Sequence, residues 1–124
     1  MVTAMGRQRF LAKHRILRDG DFRRAYQKRC TAGDEQLLVF GHVNGLPYPR
    51  LGLSVSKKVG SAVVRNRWKR IVREAFRLSR ETFPAGVDLI VIPRQSGKPE
   101  LEPTIRSLVR LAARVVKKMA NGSG

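Results

Sequence analysis

A dense stripe of cationic and amide side chains runs through residues 65–80. Its members are Arg65, Asn66, Arg67, Lys69, Arg70, Arg73 and Arg77. At 3.6 residues per turn, these side chains gather on and beside one face of a helix. Like charges three and four residues apart repel one another, so the cationic stripe is expected to need a polyanionic partner. A solvated surface is the ordinary alternative, but arginine predominates here, and its planar guanidinium suits phosphates and base edges. The stripe therefore favours nucleic acid.

The opposite face of the same helix is suited to a core. It carries Trp68, Ile71, Val72, Ala75, Phe76 and Ser79. Upstream, residues 51–56 alternate between apolar and small or polar types, which predicts a half-buried strand. Lys57, Lys58 and Gly60 then turn the chain. Ser61 is placed to cap the helix, so a strand and a turn are expected to lead directly into the cationic stripe.

Composition places the chain among small, strongly cationic proteins. Its 124 residues correspond to one domain with a modest core. The formal net charge of +17 predicts salt-sensitive association with RNA, DNA or an anionic surface. Cys30 is the single cysteine, so a reducing, cytoplasmic location is expected. No apolar run approaches the roughly 20 residues that span a bilayer, and the basic helix lacks an aromatic-rich face, so no membrane partner is expected.

The rest of the chain predicts helices and strands around this segment. In chain order these are a basic flexible tail over 1–13, a helix from Asp19, a turn near Gly33, strands over 37–43 and 87–92, a helix with Pro103 in its first turn, and a frayed tail over 120–124. Apolar residues of the last helix are Ile105, Leu108, Val109, Ala112, Val115, Val116 and Met119. A strand, a helix and another strand in succession indicate a parallel pair.

Aromatic residues near the N-terminus have two possible roles. Phe22 and Tyr26 share a face of the helix that begins at Asp19, and Phe40 shares a face of the next strand with His42. Aromatic side chains usually pack in a core. With a basic rim they can instead stack on the bases of a single strand. The residues alone favour core packing for the two aromatics of the helix.

Residues 52–76 read GLSVSKKVGSAVVRNRWKRIVREAF and resemble the signature segment of the protein subunit of bacterial ribonuclease P. Its hallmark is the arginine-asparagine-arginine helix, here Arg65, Asn66 and Arg67. A weaker likeness extends from residue 15 to about residue 118. The resemblance implies one domain over 1–124 with an α/β (α+β) two-layer sandwich, ribosomal protein S5 domain 2-like. It also implies a left-handed βαβ crossover, whereas the general rule for such connections is right-handed.

The resemblance implies a division of labour between protein and RNA. The RNA subunit, with bound Mg²⁺, would carry out the hydrolysis that removes the 5′ leader from precursor transfer RNA. The protein would bind the catalytic RNA through the cationic stripe. Phe22, Tyr26 and Phe40 would form the floor of a cleft for the leader, with Lys57 and Lys58 at its basic rim.

The titratable residues predict that the protein alone is not a catalyst. The nine acidic residues are scattered, and the close pair Asp19 and Asp21 is better explained by helix capping than by a two-metal site. His14 and His42 have no evident nucleophile or orienting carboxylate beside them. No cluster of Cys and His offers zinc ligands. Catalytic and metal-binding residues are therefore not expected on the protein.

Two other functions fit parts of the pattern. A ribosomal or other structural RNA-binding protein would share the fold, size and charge, but it needs no aromatic cleft. A DNA-reading helix would normally come with a helix-turn-helix partner or a dimerising heptad repeat, and the sequence shows neither. RNA is therefore expected as the partner, and DNA is not.

Overall fold

The fold comprises four strands and two helices within residues 30–121, the part of the chain that this computed structural model describes. In chain order they are β1 Cys30–Gly33, β2 Leu37–Val43, β3 Arg50–Leu53, α1 Ala62–Ser79, β4 Val87–Pro93 and α2 Leu101–Ala120. Short 3-10 turns cover Lys57–Val59 and Arg80–Thr82. Because α2 begins at Leu101, Pro103 lies in its first turn, as predicted.

Several predicted features lie outside the described residues. They are the tail over 1–13, the helix from Asp19 with Phe22 and Tyr26, and the final residues 122–124. The predictions for these segments therefore stay predictions.

The four strands form one sheet in the order β1-β2-β4-β3. The pairs β1–β2 and β2–β4 are antiparallel, whereas β3 and β4 run parallel. The parallel pair predicted from the strand, helix and strand succession is thus confirmed, while the hand of the crossover stays a prediction. β4 lies between two strands and is buried along almost its whole length, as its continuous apolar run indicates.

Both edge strands of the sheet, β1 and β3, differ from the sequence prediction. The pattern predicts a turn near Gly33 but no strand before it, whereas β1 pairs with four residues of β2. β1 reads CTAG, and Ala and Gly are depleted in strands, so its residue types give a weak strand signal. The turn itself is present, because the Asp34 carboxylate accepts hydrogen bonds from the N–H groups of Gln36 and Leu37 at 2.8 and 2.9 Å. β3 ends earlier than the strand predicted over 51–56.

One face of the sheet packs against both helices. The largest buried side chains of this core are Trp68, Phe76, Leu37, Leu89, Leu108 and Leu111. Leu111 extends the apolar stripe of α2 beyond the predicted positions. Gly41 of β2 permits a close approach of α2, because a Cβ at this position would lie 2.1 Å from Cγ1 of Val115. A sheet layer and a helix layer therefore share one core, which confirms the predicted α/β sandwich.

α1 has the amphipathic form that its sequence predicts. Ser61 is the N-cap, and its Oγ accepts a hydrogen bond from the N–H of Val64 at 3.4 Å. Every residue of the predicted apolar face is buried except Ile71, which is half-buried. After the helix, Phe83 stacks on Phe76 with ring centroids 5.3 Å apart, so the chain turns back onto the core.

Polar side chains fasten α2 to the turn between β1 and β2. The buried Gln36 donates from Nε2 to Oγ1 of Thr104 at 3.1 Å. Asp34 accepts a hydrogen bond from Oγ of Ser107 at 2.8 Å and forms an ion pair with Arg110. Thr104 and Ser107 are buried in α2, so these contacts satisfy polar groups within the packed helix.

Candidate nucleic-acid interface

The cationic stripe lies on the outward side of α1, as its helical spacing predicts. Asn66, Arg67 and Arg70 are exposed. The half-buried members are Arg65, Lys69, Arg73 and Arg77. Among the described residues, no carboxylate forms an ion pair with Arg67 or Arg70. Their charge is therefore offered to solvent or to a partner.

Arg77 already has a carboxylate partner within α1. Its Nε donates to Oε1 of Glu74 at 3.0 Å, and its Nη2 contacts the second carboxylate oxygen. The hydrogen bond from Arg77 lowers the pKa of Glu74, and the same bond raises the pKa of Arg77. Residues three apart on a helix are neighbours, so the sequence contained the signal for this pair. Arg77 consequently offers less charge to an anion than an unpaired arginine would.

Lys57 and Lys58 stand on a 3-10 turn that leads into α1. Oγ of Ser56 accepts a hydrogen bond from the N–H of Lys58 at 3.1 Å and caps this turn. Gly60 has a φ of 145°, and a Cβ there would lie 3.0 Å from the Cβ of Val64. Both features favour glycine at the junction. Both lysines are exposed, so the turn between β3 and α1 presents two cationic side chains to solvent.

The open face of the sheet, defined as the face turned away from α1 and α2, carries Phe40. In the β2–β4 register Phe40 lies opposite Ile90. Ile90 is fully buried, and the partly buried Phe40 and Ile92 pack against it in a small cluster separate from the main core. Phe40 is therefore outside the main core, as a leader-binding role requires. The floor of three aromatics stays a prediction, because Phe22 and Tyr26 lie outside the described residues.

An ion pair lies at one end of the open face. The Asp88 side chain is 1% exposed, and its carboxylate accepts hydrogen bonds from Nε and Nη2 of Arg50 at 2.8 and 2.7 Å. Nδ2 of Asn44 donates to the same carboxylate at 2.8 Å. His42 lies opposite Asp88 in the register, which confirms it as a polar residue of this face. The sequence prediction misses this group, although a lone acid in an apolar strand signals a buried partner.

Neither a metal site nor a membrane span is found within residues 30–121. No group of three or more His, Cys, Asp and Glu side chains is arranged there to hold a metal ion. No helix of the described range is long and apolar enough to cross a bilayer. The expectation that Mg²⁺ binds chiefly with an RNA subunit concerns a partner and is unaffected.

The cationic helix, the separate sheet face with an aromatic residue and the two-layer core define a class of small, strongly basic α/β proteins. The family model for ribonuclease P matches residues 10–119. The chain therefore belongs to the family of bacterial ribonuclease P proteins, the protein subunit of a ribonucleoprotein endoribonuclease. The family inferred from residues 52–76 is thus confirmed.

Relatives and solved structures agree with this assignment. The ribonuclease P protein component of Alkaliphilus oremlandii is 35% identical over 103 residues, which cover 80% of this chain and 90% of that protein. The structure of a Staphylococcus aureus RNase P protein mutant with defective mRNA degradation activity matches with a TM-score of 0.74 at 36% identity, covering 85% of this chain and 89% of that one. The RNase P protein from Thermotoga maritima matches with a TM-score of 0.61 at 32% identity, covering 86% and 92%. The similarity extends over most of each chain.

Proposed function

We propose that this chain binds two RNA partners on two separate surfaces. The cationic stripe of α1 binds the catalytic RNA of ribonuclease P, and the open face of the sheet binds the 5′ leader of precursor transfer RNA. The RNA subunit, with bound Mg²⁺, carries out the hydrolysis that removes the leader. One observation carries the proposal: the stripe faces outward from the helix layer, whereas Phe40 lies on the opposite side of the sheet. Two RNA segments can therefore be held without competing for one site.

The stripe is suited to a folded RNA because it presents several cationic groups from one side of a single helix. Arg67 and Arg70 are exposed on one rigid helix, which fixes the spacing between their guanidinium groups. A guanidinium can bind two phosphate oxygens at once. Arg65, Lys69 and Arg73 flank them and broaden the cationic surface. We assign these residues, together with Asn66, to the catalytic RNA.

The open face is suited to a single strand of variable sequence. Every base has an aromatic face, so stacking on Phe40 does not depend on base identity, and it contributes roughly 1 to 3 kcal/mol per base. Phe22 and Tyr26 complete the proposed floor. Lys57 and Lys58 form its proposed basic rim, where exposed ammonium groups attract the phosphates of the strand.

Reconstitution with ribonuclease P RNA tests the first surface. The chain should lower the Mg²⁺ concentration that the RNA needs to cleave a precursor with a leader. Arg70→Ala should weaken binding to the RNA subunit and reduce the slope of log affinity against log salt by about 0.7 to 0.9, the loss of one phosphate contact. Arg106→Ala on α2 is the matched control, since that side chain is 66% exposed and lies near Glu102. Equal affinities and slopes for the wild type and Arg70→Ala would refute the assignment.

Substitution of Phe40 tests the second surface. Phe40→Leu retains an apolar contact with Ile90 but removes the aromatic face. We expect near-normal thermal melting, weaker holoenzyme binding to the precursor with a leader, and little change for mature transfer RNA. If binding to the precursor and to mature transfer RNA weakens equally, Phe40 does not bind the leader and has only a structural role.

The RNA-free protein provides the third test, because the proposal places the chemistry on the RNA. Purified protein should not cleave precursor transfer RNA. Messenger RNA should be included as a second substrate, since one of the similar structures is a Staphylococcus aureus mutant with defective mRNA degradation activity. Metal-dependent cleavage that a point substitution in the protein abolishes would contradict the proposed division of labour.

A further inference from the structure

Three polar residues on the open face link three neighbouring strands at one level. Asp88 belongs to the central strand β4, Arg50 begins the edge strand β3, and Asn44 directly follows β2. The carboxylate of Asp88 receives two hydrogen bonds from Arg50 and one from Asn44, all between 2.7 and 2.8 Å. This polar link therefore fixes how β2, β4 and β3 lie relative to one another at that end of the face.

Stability alone is a weak reason for such a group. Transferring a carboxylate and a guanidinium out of water is costly, and apolar residues of similar volume often serve a fold equally well. Unlike an apolar contact, the polar link is directional, because a planar guanidinium bonds both carboxylate oxygens only when the two groups lie nearly in one plane. Its most distinctive contribution is therefore geometric.

The polar link adjoins the proposed single-strand surface. Ile90 follows Asp88 by two residues on the same face of β4, and strand geometry places such residues about 7 Å apart. Ile90 lies opposite Phe40 on one side and beside Gly52 on the other. The next row of the sheet is thus the apolar row that carries the proposed stacking residue.

Asn44 extends the polar link into the loop after β2. Its Oδ1 accepts a hydrogen bond from the N–H of Leu46 at 2.7 Å, and its own N–H donates to the carbonyl of Gly86 at 2.8 Å. The amide that holds Asp88 is therefore itself held by the loops at the end of the sheet. The carboxylate is also covered by positive and amide groups, so a phosphate chain above the face does not meet a bare negative charge.

We propose that Arg50, Asp88 and Asn44 are positioning residues that set the shape of the open face for the 5′ leader. They hold the strands on either side of Ile90 so that the Phe40 row presents one surface to the bases. The inference rests on the proposed function of the open face. It assigns these residues no direct contact with RNA.

The test replaces the ion pair by apolar residues in Arg50→Met/Asp88→Leu. This change leaves the net charge unaltered, so the salt slope of substrate binding should remain that of the wild type. The thermal melt and the affinity for mature transfer RNA should also stay close to wild type in the reconstituted holoenzyme. Affinity for the precursor with a leader should fall about fivefold or more, the lower end of one base stack. Arg106→Met/Glu102→Leu on α2 is the matched control, because it removes an exposed ion pair, and it should change none of these quantities.

Two further variants make each outcome decisive. If the double variant melts well below wild type, Arg50→Lys decides, since it keeps the charge and loses the planar fork, and the same leader-specific loss is expected. An unchanged preference for the leader in a folded variant overturns the proposal, as does a reduced salt slope, which would indicate a direct phosphate contact.

Phe40→Leu measured in parallel separates failure of the positioning role from failure of the proposed function. If it weakens leader binding while the ion-pair variants do not, only the positioning role fails, whereas no effect of Phe40→Leu refutes the proposed function itself.

Discussion

Glu74 limits the charge of the cationic stripe at the scale of a single residue. Its carboxylate holds Arg77 through two contacts, one of them at 3.0 Å. Glu74→Gln removes the negative charge that Arg77 contacts, so affinity for ribonuclease P RNA should rise and the salt slope should steepen by about 0.7 to 0.9. Filter binding across a salt series measures both quantities. The double variant Glu74→Gln/Arg77→Gln is the control and should lose the gain. If Glu74→Gln alone changes neither quantity, Arg77 lies outside the RNA interface.

Asp34 holds α2 against the β1–β2 turn through its contacts with Ser107 and Arg110. Burial tends to raise the pKa of Asp34, but hydrogen bonds from the Leu37 N–H, Ser107, the Gln36 N–H and Arg110 together lower it below its usual 3.8. A lowered pKa means that the carboxylate stabilises the fold fully above the unfolded value, and that this contribution is lost as pH falls through the folded value.

Asp34→Asn should therefore reduce the free energy of unfolding by about 1 to 3 kcal/mol at pH 7. The difference from wild type should begin to shrink as pH falls below 3.8, where the carboxyl of the unfolded chain takes up a proton, and should vanish below the lower pKa of the folded protein. Denaturant unfolding at a series of pH values measures this. Glu35→Gln is the control, since the neighbouring Glu35 is exposed. A difference that stays constant down to pH 3 would show that the charge of Asp34 contributes nothing.

The helices and the long strands can be predicted from the sequence, whereas the contacts between them cannot. α1, α2 and β2 are predictable because each is long enough for its spacing of apolar residues to register, and the exposed stripe follows from the spacing of α1. β4 is predictable from its nearly continuous apolar run. Contacts between distant segments are not predictable in this way. Arg50 and Asp88 lie 38 residues apart and meet only because β3 and β4 become neighbours. The Gln36 contact with Thr104 spans 68 residues and depends on how α2 crosses the sheet.

The net charge of +17 acts on the whole molecule. In the free protein these charges repel one another and oppose the compact state, so moderate salt should raise its melting temperature by screening them. The same salt should weaken RNA binding, because counterions released into a more concentrated salt solution gain less entropy. As sodium chloride rises from roughly 0.05 to 0.5 M, the Debye length shortens severalfold. Over this range the melting temperature should rise while the affinity for RNA falls. A melting temperature that falls with added salt would contradict the repulsion.

The central place of β4 has a consequence for synthesis. Its backbone pairs with β2 and β3 at once, so its amide protons should exchange with solvent more slowly than those of β1 at the sheet edge. The ribosome, however, makes β4 after β1, β2, β3 and α1. β2 and β3 cannot take their places until β4 inserts between them. A nascent chain can form the cationic helix early, but the open face, the surface proposed for the leader, is incomplete until Pro93 has left the exit tunnel.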